Sequence, residues 1–130
     1  MRSRIVTLAK SDPEFYPLLG PFLASRAVAA AVGGPIWDDD GKTWHVALDG
    51  DAVAGFIATR TARGLAHVES CYTVPGHEAE RPRLIRAALD ATHPSPAATS
   101  VRREFVSAYL KAGFVQTAET RNFVKLARKA

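Results

Sequence analysis

Apolar positions follow two periods along this chain, and glycine, proline and aspartate mark where the period changes. Residues 4–9 (RIVTLA) read as a short β-strand. Ser11-Asp12-Pro13-Glu14 has the form of a capping box, in which Ser11 caps a helix and Glu14 reaches back. Pro13 suits the first helical turn. Phe15, Leu18, Leu19, Phe22 and Leu23 then recur at helical spacing on one face. Pro21 is expected to kink or end that helix. A second helical run over residues 24–32 stops at Gly33-Gly34-Pro35.

A loop over residues 36–42 separates these helices from three runs of strand character. Residues 43–48 (TWHVAL) and 52–61 (AVAGFIATRT) flank Asp49-Gly50, a strong hairpin signal. Ala62-Arg63-Gly64 turns the chain again into residues 65–74 (LAHVESCYTV), which completes a meander. After Pro75-Gly76, residues 82–91 predict a helix. Its apolar stripe is Leu84, Ile85, Ala88 and Leu89, with Arg83, Arg86 and Asp90 turned outward. Residues 97–101 form a short strand candidate and residues 103–112 a helix, with Phe105, Val106, Tyr109 and Leu110 on one side and Gly113 as its C′ residue. Residues 114–117 and 122–127 read as a terminal hairpin. The order β-α-α-β-β-β-α-β-α-β-β favours an α+β fold with a mixed sheet, in one domain over residues 1–130.

Composition narrows the function classes. Apolar residues make up 47% and charged residues 23%, which argues against a disordered chain. One cysteine, Cys71, excludes an internal disulfide and fits a reducing, cytoplasmic setting. Met1-Arg2-Ser3-Arg4 is basic but no apolar signal core follows, and residues 24–32 are too short to span a bilayer. His45, His67, His77 and His93 show no ligand spacing, so no metal is expected. No Gly-x-Ser-x-Gly elbow, Walker sequence or paired-glycine fingerprint is present. The net charge of +4, from 17 Lys+Arg against 13 Asp+Glu, attracts polyanions.

Three local sequences give the order of elements a more specific meaning. They are Tyr109-Leu110-Lys111-Ala112-Gly113-Phe114, then Tyr72-Thr73-Val74-Pro75 followed by Arg81 and a helix, and the hairpin over residues 44–59 with Val53-Ala54-Gly55-Phe56. Together they resemble the GNAT superfamily of N-acetyltransferases over nearly the whole chain. The resemblance implies a mostly antiparallel mixed sheet of six to seven strands flanked by about four helices. It also implies acetyl transfer from acetyl-CoA to a primary amine, by direct attack and without a covalent enzyme intermediate. Such chemistry needs a base for the ammonium, N–H donors for a developing oxyanion and an acid for the leaving thiolate. The family's positions assign Glu69 as base and Tyr109 as acid. Backbone N–H groups near Tyr72 and Val74 are the implied donors to the thioester oxygen and pantetheine arm, at strands that splay apart. A charged residue on the solvent side of a strand is the other reading of Glu69, and a core position would equally explain Tyr109.

The pyrophosphate loop departs from the family pattern. Arg81 matches, but Pro82, Leu84 and Arg86 stand where small residues let backbone N–H groups approach phosphates. Arg81, Arg83 and Arg86 are therefore expected to grip phosphate through their side chains, or else to form a solvated helix face. Arg102 stands where many relatives carry asparagine. Trp37, Asp38 and Asp39 are the expected acceptor-side group, suited to a cationic amine. A catalytically inactive binding or interaction module is the second reading, and nucleic-acid contact is the third. The open sheet edges would permit a homodimer.

Overall fold

The elements form in the expected order. In the computed structural model, which describes residues 3–129, strand β1 (Arg4–Leu8) leads to helices α1 (Phe15–Leu23) and α2 (Arg26–Val32). Strands β2 (Thr43–Asp49), β3 (Ala52–Ala62) and β4 (Leu65–Thr73) follow, then helix α3 (Glu80–Thr92) and strand β5 (Ala97–Val101). A single 3-10 turn (Arg103–Phe105) opens helix α4 (Val106–Lys111), and strands β6 (Val115–Glu119) and β7 (Val124–Arg128) close the chain. Met1 and Arg2 of the basic start lie outside the described residues, as does Ala130.

The strands make one seven-stranded sheet, ordered β1-β2-β3-β4-β5-β7-β6. Every adjacent pair is antiparallel except β4 and β5. Side chains alternate between two buried faces, as a pleated strand requires. Trp44, Val46 and Phe56 meet Phe15, Leu19 and Val28 beneath α1 and α2. Ala47, Ile57 and Val68 meet Leu84, Ile85 and Leu89 of α3 and Tyr109 of α4 on the other face.

Two helix starts differ from expectation. Asp12, not Ser11, makes the local side-chain bond: its carboxylate accepts the Ala9 N–H at 2.7 Å. The carboxylate is the stronger acceptor, and the residue before a proline is steered away from helical angles. A turn therefore forms, and α1 begins only at Phe15, with Glu14 at the N-cap making no side-chain bond. Helix α3 begins at Glu80, two residues before Pro82. The proline then falls within the first turn, where an N–H has no intrahelical partner to lose. Elsewhere the signals hold. Ser25 caps α2 by accepting the Val28 N–H at 3.2 Å, and Gly33 ends it at φ 100°. Pro21 lies inside α1, and the chain turns by 78° into α2.

Gly55 sets how closely β3, β4 and α3 can approach. A β-carbon there would lie 2.7 Å from Tyr72 O and 3.1 Å from Leu84 Cδ1. Backbone on a neighbouring strand cannot rotate away as a side chain tip can. Gly55→Ala should therefore destabilise the protein by about 1–3 kcal/mol, as overpacking does, measured as a lower midpoint of denaturant unfolding with an unaltered slope.

His45 makes the fold sensitive to acid. It is buried in β2, its Nδ1 pairs with Thr7 Oγ1 at 3.2 Å, and its Nε2 has no hydrogen-bond partner among the described residues. Burial lowers its pKa below the ordinary value. The unfolded chain thus takes up a proton that the folded chain resists. Stability should fall as pH drops below about 6.5, the unperturbed histidine value. Unfolding free energies measured across that range should show a shallower pH slope in His45→Leu than in the wild type.

Candidate functional site

The site begins where β4 and β5 part. Their parallel pairing covers only Ala66 with Ala97 and His67 with Ala98. One further bond joins them, from Thr99 Oγ1 to Val68 O at 2.7 Å. Past that point the strands diverge. A bulge on β4 changes the side to which its groups point: the register against β3 shifts between Phe56 and Ala58, and Ser70 takes φ 58°. Beyond the bulge, the Val74 N–H bonds Ala54 O at 2.8 Å. Tyr72, two residues earlier and opposite Phe56, faces β3 as well. The N–H groups of Tyr72 and Val74, the expected donors, are therefore turned away from the opening. Strand alternation instead turns the backbone N–H of Thr73, between them, towards β5.

Glu69 lies on the same stretch of β4, on the face covered further along by α1 and α2. Its Oε1 pairs with Lys42 Nζ at 2.9 Å. The Lys42 side chain is 4% exposed and Glu69 34% exposed, so the carboxylate keeps an open side while its counterion is enclosed. Lys42 also donates to Trp37 O at 2.6 Å and lies 5.8 Å from the centre of the Trp44 ring. The lysine thereby ties the loop over residues 36–42 to the candidate base. Sequence reading did not single out Lys42. The available signal was its even spacing from Trp44, which puts both side chains on one face where the chain enters β2.

The three acids of that loop are already engaged. Tyr16 OH donates to Asp38 Oδ2 at 2.5 Å, which holds Asp38 below the ordinary carboxylate range and raises the Tyr16 pKa. Asp40 pairs with Lys10 at 2.8 Å, and Asp39 lies 3.9 Å from Lys42. Trp37 remains exposed beside them.

Tyr109 is buried on the opposite face, edge-on to Phe114 at 5.5 Å between ring centres. Burial pushes its pKa well above the ordinary value; the neighbouring Cys71 adds to this, and Arg81 opposes it. Burial also raises the Cys71 thiol. Arg81 belongs to this cluster rather than to a surface phosphate grip. Its Nη2 donates to Thr73 Oγ1 at 3.3 Å, and its guanidinium stacks 4.0 Å from the centre of the Phe105 ring.

The arginines of α3 therefore diverge. At about 100° per residue, Arg81 falls on the buried face and Arg83 and Arg86 on the outer one. Arg83 is bound to Glu80 Oε1 at 2.6 Å and to Ser3 O at 2.9 Å. Arg86 lines an open groove of about 510 Å³ with Lys111. The turn before α3 is largely self-satisfied. The Gly76 N–H donates to Glu78 Oε1 at 3.2 Å, and the N–H groups of His77, Glu80 and Arg81 bond Val74, His77 and Glu78 carbonyls. Pro82 has none to give. The opening between β4 and β5 thus fits an extended arm with polar backbone contacts. The turn offers a pyrophosphate only the Glu78 and Ala79 N–H groups, with two carboxylates close by.

In front of Glu69 the sheet is uncovered. His67, Glu69, Ser100, Thr117 and Lys125 line a groove of about 530 Å³ across β4, β5, β7 and β6. It joins the strand opening to solvent.

No protein-family model matches the sequence, and no curated protein matches it. Solved structures do match in shape. ElaA from Escherichia coli has a TM-score of 0.75 at 15% identity, covering 98% of this chain and 99% of that one. An acyl-CoA N-acyltransferase from Pseudomonas aeruginosa has a TM-score of 0.75 at 16% identity, covering 97% and 99%. The PaiA N-acetyltransferase from Thermoplasma acidophilum, in complex with coenzyme A, has a TM-score of 0.70 at 14% identity and covers 100% of both chains. Helices on both faces, the mostly antiparallel seven-stranded sheet and the parted β4 and β5 thus give this chain the GNAT fold of N-acetyltransferases.

Proposed function

We propose that this protein transfers an acetyl group from acetyl-CoA to a primary amine. The observation that carries the proposal is the parting of β4 and β5, with the Glu69 carboxylate on its open side and the Thr73 N–H turned inward. A buried strand with unpaired backbone groups is costly, and an amide-bearing arm laid along it would satisfy them. When bound, acetyl-CoA supplies the activated acyl group. Glu69 takes the ammonium proton, directly or through water, and Lys42 holds the carboxylate in place while remaining shielded itself. Tyr109 stays protonated far beyond neutral pH, so its phenol has a proton available for the departing sulfur. The amine enters through the groove lined by His67, Ser100 and Lys125.

The self-satisfied turn before α3 supports a second reading, an interaction module with this fold and no catalysis. Glu78 stands where a phosphate oxygen would accept the Gly76 N–H. Melting with acetyl-CoA separates the two. Ligand at about 100 times its dissociation constant adds roughly 2.7 kcal/mol, a shift of several degrees for a domain of this size. Acetyl-CoA and free CoA should both raise the melting temperature, and ATP should not. A flat response to all three would favour the interaction module.

The two assigned side chains make separate predictions. Glu69→Gln should lower kcat/KM by about 10²-fold or more, the usual contribution of a positioned base. Tyr109→Phe should lower kcat by a similar factor, and a wild-type rate in that variant would remove Tyr109 from the role of acid.

A further inference from the structure

Further along β5 and β7 from the groove in front of Glu69 lies a second pocket of about 380 Å³, built where three distant segments meet. Gly33 at the end of α2 forms one wall, Arg102 to Glu104 a second, and Arg121 to Phe123 of the β6–β7 turn the third. The two spaces are consecutive along the same ladder. Ser100 pairs with Lys125 within the first, Val101 with Val124 comes next, and Arg102 and Phe123 open the second. By the register of β4 against β5, Glu69 is level with Ser100. Arg102 is two residues further, or about 7 Å along the strand.

The pocket is fixed in shape. A β-carbon on Gly33 would come within 2.7 Å of the Phe123 ring, so the turn is seated directly on the end of α2. Arg102 Nη1 donates to Ala30 O at 3.0 Å and its Nε to Glu104 Oε1 at 2.8 Å. Arg103 holds the turn itself, donating to Arg121 O at 2.6 Å and Thr120 O at 2.7 Å, with Glu119 at 3.5 Å.

The charges lining this end are unbalanced. Arg102 and Arg103 have the carboxylates Glu104 and Glu119. Arg121 and Lys125 have no carboxylate within 4.0 Å among the described residues. Glu69 is already paired with Lys42 and Asp40 with Lys10, while Asp38, held by the neutral Tyr16 hydroxyl, and Asp39 line neither of the two spaces. A purely cationic acceptor would meet net positive charge on its way to the base. Guanidinium groups instead suit a carboxylate or phosphate, with paired, directed donors.

The geometry points to an acceptor that carries, beyond its amine, an anionic group, carboxylate or phosphate, that reaches the second pocket. Arg121, with the Arg102 Nη2 that Ala30 O and Glu104 leave over, holds the anion while the amine reaches Glu69. This names the substrate class for the acetyl-transfer reading and rests on it.

The test uses ω-amino carboxylates of increasing chain length, their carboxamides, aminoethyl phosphate and ethanolamine, each as acceptor with saturating acetyl-CoA. Wild type should favour each anionic amine over its neutral partner by about tenfold or more in kcat/KM, the factor of one charge-assisted contact. In R102Q/R121Q that ratio should collapse towards one, a readout that cancels any loss of active protein. Equal rates for the paired acceptors in the wild type would overturn the inference, as would a ratio that survives the double substitution. Preference for the phosphate alone, or the carboxylates alone, would identify which anion is meant. If no amine is acetylated, the acetyl-transfer reading fails by itself and calorimetric titration with the same compounds decides the site. Saturable binding of the anionic members that weakens about tenfold in R102Q/R121Q would uphold it, and no saturable binding would overturn it.

Discussion

Buried backbone N–H and C=O groups need partners, and β4 meets that demand unevenly. Along β3 it is paired on both sides of the bulge at Ser70 and Cys71. Along β5 it is paired only at Ala66 and His67, with the Thr99 hydroxyl on Val68 O as the last stitch. The bulge at Ser70 then reverses which residues face each neighbour. Gly55 permits β3 to follow β4 through that irregularity, because Tyr72 O occupies the space a β-carbon would need. The opening is therefore held by pairing on one side and ended by a side chain on the other.

Around this opening the charges are sorted by burial. Lys42 is enclosed between Trp37 O, Glu69 and the Trp44 ring, so its ammonium fixes a carboxylate that still faces the groove. Arg81 is enclosed on the other face, with Phe105 stacked over it and Tyr109 and Cys71 beside it. Its position supports the phenol end of the site and leaves the turn before α3 to make its own bonds. That division explains why the loop lacks the small residues expected of it: Leu84 packs in the core and Pro82 needs no donor in a first turn.

The pocket at Arg102 belongs to no single element. Gly33, Arg102 and Phe123 are separated by long stretches of sequence and become neighbours because β7 inserts between β5 and β6. The β6–β7 turn then comes to rest against the end of α2. Arg102 gains a structural role there by capping the α2 carbonyl of Ala30.

Much of this architecture was legible in the residues themselves. The meander, both Gly-terminated helices and the terminal hairpin follow from local periodicity and turn chemistry, which act between near neighbours in the chain. The first capping box failed because Asp12 competed locally with Ser11. The site was legible only in outline. Glu69 and Tyr109 could be named by their places in strand and helix, but their partners, Lys42 and Arg81, could not. The sequence by itself determined the elements, their order and the apolar faces, because those depend on spacings of two to four residues. Tertiary structure alone decided that Arg81 turns inward and Arg83 and Arg86 outward, that Thr73 rather than Tyr72 or Val74 faces the opening, and that Arg102 and Arg121 share a pocket, because each depends on strand register and on contacts between segments far apart in the chain.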